Sequence, residues 1–228
     1  MASDAFWIGP ARSEDTEAIH DLVFQNPDQF LRRISFETLK GRIAAGVCWV
    51  ARRGGAGREI VAACVITVPE TSPGKPPEPA EFGGLYVHEQ LRGSGLGTSL
   101  ATFAVASYFW DNDAENSAPL PLIAHVHVKN QKPRRILGKL QFVQKPGVIE
   151  VPDGIEGFEH MPKNAAGNVE GHEFEYPAAK RPDLFRWAAM VLETRTLTKG
   201  EPVEFDCPIG MTAAELRRLA AALDSAPR

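Results

Sequence analysis

The residues with chemical potential are concentrated in one stretch. Arg92-Gly93-Ser94-Gly95-Leu96-Gly97 follows a β-rich run, Glu81-Phe82-Gly83-Gly84-Leu85-Tyr86-Val87, and leads into an apolar segment. Glycines at a strand-to-helix turn let the backbone take positive φ and approach a ligand closely, while the unpaired N–H groups and dipole of the helix start favour an anion. Phosphate is the ligand that suits this turn. It lacks the Lys-Ser/Thr pair of a nucleoside-triphosphate loop, and no acidic residue ends a second strand about 20 residues on, as a dinucleotide site requires. Glu81 offers a carboxylate at the start of the strand. His125 and His127 alternate in a second β-rich run and so share a face, where either could relay a proton. With no third ligand nearby, they are not read as a metal site.

Around this stretch the sequence predicts a series of supporting elements. Phe6 to Pro10 reads as a strand, and Ser13 stands as N-cap of a helix with Ala18, Ile19, Leu22 and Val23 at helical spacing, ending near Asn26-Pro27. Ser35 caps a second helix through Phe36, Leu39 and Ile43, closed by Gly46. Val47–Arg52 and Ile60–Val68 read as a hairpin joined through Gly54-Gly55-Ala56-Gly57. Five prolines between Pro69 and Ala80 predict a stiff loop. Beyond Gly97, Leu96, Leu100, Phe103 and Trp110 form a core stripe on a helix, followed by a polar loop from Asp111 to Pro119. Leu120–Val128 is the next strand, Lys132 to Phe142 holds a short helix, and Val143–Val151 and His172–Tyr176 read as two further strands. A tail of about fifty residues follows. It has an Asp183-capped helix bearing Leu184, Trp187, Val191 and Leu192, a strand from Pro202 to Cys207, and a Thr212/Glu215 capping box before Leu216, Leu219 and Leu223.

Composition narrows the classes. The chain has 228 residues, 25 basic and 29 acidic side chains and a formal net charge of −4, so no electrostatic footprint for nucleic acid or an anionic membrane is visible. Cys48, Cys64 and Cys207 form an odd, widely spaced set that argues for a reducing compartment and against a disulfide framework. The longest apolar run, Ile60 to Val68, is too short to span a bilayer, and the N-terminus has no apolar signal region. A soluble, cytoplasmic protein is expected.

The run Leu85-Tyr86-Val87-His88-Glu89-Gln90-Leu91-Arg92-Gly93-Ser94-Gly95-Leu96-Gly97 closely resembles the acetyl-CoA-binding motif of the GNAT N-acetyltransferase superfamily. The likeness covers roughly residues 6 to 176 and is specific over Glu81 to Phe142. It implies an α/β (α+β) fold with a mixed, mostly antiparallel central sheet flanked by helices, an acyltransferase domain over 1–178 and a C-terminal extension over 179–228. It implies acetyl-CoA as co-substrate and a small-molecule or peptide amine as acceptor. Backbone groups of Leu85, Tyr86 and Val87 would then bond the pantetheine, and Arg92, Gly93, Ser94, Gly95, Leu96 and Gly97 the pyrophosphate. Asn130 would contact the pantetheine or adenine end, and Arg134 or Arg135 the 3′-phosphate.

By the same resemblance Gly83-Gly84 marks a bulge that opens a slot for the thioester, and Glu81 is the general base. In a regular strand Glu81, Gly83, Leu85 and Val87 share one face, with Tyr86 packing on the other. One of His125 and His127 could serve as a secondary base or supply the acid, and otherwise they are satisfied structural groups. Two positions depart from the family: Gln141 stands in place of a glycine, and Leu137 in place of the tyrosine that protonates the leaving thiolate. That second departure, with the extra helices, keeps open an alternative reading, a non-catalytic acyl-CoA-binding or interaction module. The amphipathic tail is left three roles: covering the sheet, closing over the substrate, or forming a homodimer.

Overall fold

The computed structural model describes residues 5–24, 28–54, 59–69, 78–114 and 120–225. In chain order, β1 (Phe6–Pro10) precedes α1 (Thr16–Phe24) and α2 (Phe36–Ala44), and β2 (Cys48–Arg53), β3 (Ile60–Thr67) and β4 (Ala80–Val87) follow. Next come α3 (Leu96–Ala114), β5 (Leu122–His127), α4 (Gln131–Lys139), β6 (Val143–Gln144), β7 (Ile149–Val151) and β8 (Val169–Glu175). The tail supplies α5 (Arg181–Thr194), β9 (Val203–Phe205) and α6 (Ala213–Ser225). The strands form one mixed sheet in the order β6-β8-β5-β4-β3-β2-β1-β9, with β7 also on β8. Pairing is antiparallel except between β4 and β5 and between β1 and β9.

Both faces of the sheet centre are covered, which is why β2 and β3 read as unbroken apolar runs. Trp49, Ala51, Ala62, Cys64 and Ile66 face α3, whereas Cys48, Val50 and Ala63 pack with Ile19, Leu39 and Ile43 under α1 and α2. α3 itself is buried on nearly every side rather than along a stripe. The cause is the tail: Phe185, Ala188 and Ala189 of α5 and Leu216 of α6 join the α3 core, and Phe205 lies 4.1 Å from Phe103 between ring centroids. β9 extends the sheet beside β1. Of the three roles left to the tail, packing on the domain's own core is thus one that α5, β9 and α6 fill.

Helix ends refine several expectations. Ser35 Oγ accepts from the Thr38 N–H and Gly46 takes φ +72, as read. Ser13 instead opens a single 3₁₀ turn in which Asp15 accepts the Arg12 N–H at 2.6 Å, so α1 begins at Thr16. Asp183 lies inside the first turn of α5, paired with Arg186, and Thr212 makes only half a capping box, because Glu215 pairs with Arg218. α3 runs through Ala114, past the expected start of the polar loop. The Gly54–Gly57 turn, the proline-rich loop, Asn26-Pro27 and the loop before Leu120 fall largely outside the described residues.

Candidate active site

The Gly83-Gly84 pair marks a break in β4. Glu81, Phe82 and Gly83 oppose Thr67, Ile66 and Val65, but Tyr86 and Val87 oppose Ala63 and Ala62, so one extra residue is accommodated opposite Cys64. Gly84 takes φ +60, a left-handed value that favours glycine. The inserted residue reverses side-chain parity. Tyr86 therefore lies on Glu81's side of the sheet and Val87 on the α3 side, the opposite of what a regular strand dictates. β4 meets β5 only at Ala80↔Leu122 and Glu81↔Ile123. Beyond that point the two strands part, and a cavity of about 870 Å³ opens, reaching Gly93, Gly95 and Gly97 at one end and Glu81 and His125 at the other.

The glycine end is built from backbone. Gly93 and Gly95 take φ +84 and +100, and each glycine has its own reason for lacking a Cβ. A Cβ on Gly95 would lie 2.4 Å from Thr198 Oγ1, and one on Gly97 2.8 Å from Val87 Cγ2, whereas the space beside Gly93 is open. The Ser99 N–H is the first in α3 to bond a preceding carbonyl, that of Gly95. The amides of Gly93, Gly95, Gly97 and Thr98 are left without a backbone acceptor among the described residues, as a helix start requires. Two side chains expected at the anion are used locally. Ser94 Oγ donates to Leu91 O at 2.8 Å and accepts from the Leu96 N–H at 3.2 Å. Arg92 folds back to donate to Val87 O at 3.1 Å and to pair with Glu89, its guanidinium 5.8 Å from the Tyr86 ring centre.

The other end is built from side chains. His125 Nδ1 lies 2.9 Å from Glu81 Oε1 and its Nε2 lies 3.3 Å from Glu173 Oε2. With both carboxyls ionised, both contacts are hydrogen bonds only when both ring nitrogens carry protons, so the arrangement favours the imidazolium form of the ring. The hydrogen bond that His125 donates to Glu81 raises the His125 pKa against the opposing effect of burial, with Glu173 adding to the rise. For Glu81, burial would raise the pKa, but the His125 bond and charge, with Arg32 and Arg42 nearby, hold the carboxyl below its usual range. Lys145 pairs with Glu173 at 3.1 Å and Glu175 at 2.7 Å, anchoring the far end of the chain. Glu173 and Lys145 escape a reading of sequence alone, because only the β5–β8 register brings His125 opposite Glu173.

The other expected residues separate into those facing the cavity and those spent on structure. His127 Nε2–H donates to Pro162 O at 3.0 Å and its Nδ1 accepts from the Lys129 N–H, which spends both ring nitrogens on backbone groups beside Phe30. Asn130 caps α4, its Oδ1 accepting from the Lys132 N–H, and it borders the cavity. Arg134 donates to Val128 O, while Arg135 borders the cavity. Leu137 is 2% exposed and belongs to the core. The buried hydroxyls of Tyr108 and Tyr176 donate to the Leu120 and Lys180 carbonyls. Burial pushes the Tyr108 pKa up to about 12 and that of Tyr176 still higher, so neither is a ready acid. Burial likewise raises the thiols of Cys48, Cys64 and Cys207.

Two loops meet over this end. The Arg33 N–H donates to Gly157 O, Arg32 Nε reaches Glu156 O, and His160 Nε2–H donates to Leu31 O at 3.0 Å. Gly157, at φ +88, lies so close that a Cβ would sit 2.1 Å from Arg33 O.

A strand-to-helix backbone cradle, a bulged strand parting from its parallel neighbour, and a carboxylate at the parting point define the class, and comparison with known proteins agrees. Residues 14–118 match the acetyltransferase (GNAT) family, so the chain contains a domain of that family. No curated protein matches by sequence. Among solved structures, Arabidopsis thaliana NAA60 in complex with a bisubstrate analogue is similar at TM-score 0.51 and 15% identity, over 75% of this chain and 97% of that one. A chain of the NatC complex bound to Gag peptide and CoA gives 0.54 and 12%, over 76% and 98%. Apo agmatine N-acetyltransferase gives 0.52 and 15%, over 76% and 99%. At these identities the likeness is one of fold. No helix among the described residues is long and apolar enough to cross a membrane.

Proposed function

We propose that this protein is an N-acyltransferase that moves an acetyl group from acetyl-CoA to an amine by direct attack in a ternary complex. One observation carries the reading: the free amides at the start of α3 and the Glu81 carboxylate open on the same cavity, on either side of the point where β4 leaves β5. CoA suits the residues present. The amides of Gly93, Gly95, Gly97 and Thr98 would hold its diphosphate, Arg135 its 3′-phosphate, and the unpaired edge of β4 its pantetheine. Bound in this way, acetyl-CoA supplies an activated acyl group.

Glu81 takes the proton of the attacking amine, directly or through water, with the oxygen that His125 leaves free. A carboxylate held below its usual pKa is too weak a base to deprotonate a free alkylammonium near pKa 10. As the C–N bond forms, however, the nitrogen's proton becomes far more acidic, and a weak, well-placed base then suffices. His125 keeps Glu81 ionised and aimed, and Glu173 and Lys145 hold His125. Leu137 is compatible with this chemistry, because a thiol near pKa 8.5 leaves readily as its thiolate. The raised cysteine pKa values argue against an acyl-cysteine route.

Leu137 also favours the second reading, a module that binds acyl-CoA without turnover. Mass spectrometry of mixed small-amine and peptide pools incubated with acetyl-CoA and the protein separates the two. Acetylated amines that require the protein support transfer. CoA binding with every pool unmodified leaves the binding module.

A further inference from the structure

We propose that the tip of the hairpin between α5 and β9, Thr198-Lys199, forms the outer wall of the glycine cradle and binds the CoA diphosphate together with it. The inference rests on the reading of the cavity as a CoA site.

The hairpin is held rigidly from behind. Arg195 ends α5 at φ +50, Thr196 pairs with Pro202, and the Val203 N–H donates to Arg195 O at 2.9 Å. The Leu197 N–H donates to Glu201 O at 2.8 Å and the Gly200 N–H to Leu197 O at 2.9 Å, with Gly200 at φ +87, so Thr198 and Lys199 occupy the turn itself. Leu197 is 4% exposed and packs in the main core.

Its position against the cradle is close. A Cβ on Gly95 would lie 2.4 Å from Thr198 Oγ1 and 3.1 Å from the Thr198 amide nitrogen, across about a hundred residues of chain. Thr198 borders the same cavity as Gly93, Gly95 and Gly97. Yet it takes none of the cradle's amides as donors, and neither Thr198 nor Lys199 has a side-chain hydrogen bond among the described residues. The tip therefore adds donors beside the free amides rather than consuming them. Lys199, the next residue of the turn, is exposed, and under the proposal its ammonium takes over the charge that the motif's own arginine, committed to Val87 O and Glu89, does not supply. An anion on the amides of α3 would gain the Thr198 hydroxyl and the Lys199 ammonium as charge-assisted donors. The C-terminal extension then has a chemical task as well as a structural one.

The test is calorimetric titration of CoA, and of dephospho-CoA, into the full chain and its Thr198→Val and Lys199→Ala variants, with thermal melting as the folding control. With melting unchanged, each variant is expected to weaken CoA binding about tenfold, since a hydrogen bond to a charged group is worth roughly that or more. The loss is expected to be the same for dephospho-CoA, which keeps the diphosphate, and the Lys199 effect to shrink as salt is raised. Variants that bind CoA within twofold of the wild type, or more tightly, overturn the proposal, the latter because the tip would then obstruct the site. A loss seen with CoA and absent with dephospho-CoA moves the contact to the 3′-phosphate and also overturns it. Failure of the wild-type chain to bind CoA at all would instead overturn the CoA reading on which the proposal stands.

Discussion

The start of α3 and the carboxylate–imidazolium chain across β4, β5 and β8 serve one cavity with different materials. The first presents amides whose directions follow from two positive-φ glycines and a helix start within a few residues. The second aligns Glu81, His125 and Glu173 from three strands, and its geometry depends on a bulge and on strand register. Backbone donors bind with little side-chain entropy to lose and no protonation state to manage. Side-chain networks tune pKa and carry chemistry, at the cost of depending on each neighbour. Binding and turnover should therefore be separable by mutation.

The largest expected separation comes from Glu81→Gln, which lowers kcat/KM by about 10²–10⁴-fold near neutral pH while CoA affinity, read by calorimetry, stays at the wild-type value. Activity within a few-fold of wild type would remove Glu81 from the role. The converse change is Gly95→Val. It forces a branched side chain into φ +100 and against Thr198, and is expected to weaken CoA binding by about 10²-fold or more with the fold retained by circular dichroism.

His125→Ala sharpens the side-chain half. Removing the imidazolium leaves burial to raise the Glu81 pKa, so the acidic limb of the kcat/KM profile moves to higher pH, with kcat/KM down about tenfold. An unmoved limb would show that the two groups are not coupled. The same pair sets a pH window for stability. Glu81, depressed in the fold, stabilises above its unfolded pKa of about 4.3 and loses this as pH falls through the folded value. His125, raised in the fold, stabilises below its unfolded value of about 6.5 and loses this as pH climbs through the folded one. The melting difference between wild type and His125→Ala should thus be largest between about pH 4.3 and 6.5 and shrink on both sides. The smallest effect expected is structural. Gln141 sits at φ +68 with its Oε1 buried and without a partner among the described residues, so Gln141→Gly should raise stability by about 1 kcal/mol in urea titration without touching CoA affinity.

The same contrast explains what could be read from sequence. The cradle was legible because its spacing is local: Arg-x-x-Gly-x-Gly states the turn, the φ values and the helix start together. The mixed sheet, the Gly83-Gly84 irregularity, Ser35 and Gly46 were legible for the same reason. The face of Tyr86 and Val87 was not, because a single inserted residue reverses every side chain beyond it, and sequence does not say which glycine takes the extra place. Glu173 was hidden by a register that joins β5 to a strand more than forty residues away. Ser94 and Arg92 looked like ligands by type, but their polar atoms satisfy nearby backbone groups. Gln141 occupies a left-handed position that a glycine would take without strain, so the family's pattern had marked a real backbone demand there.

The most direct test of the central claim follows free thiol released from acetyl-CoA by wild-type protein and Glu81→Gln, each with and without an amine pool, alongside CoA titrations of both. Amine-dependent thiol release by the wild type is expected, slowed about 10²–10⁴-fold in the variant, with equal CoA affinities. Tight CoA binding by the wild type with no amine-dependent thiol from any pool would contradict it.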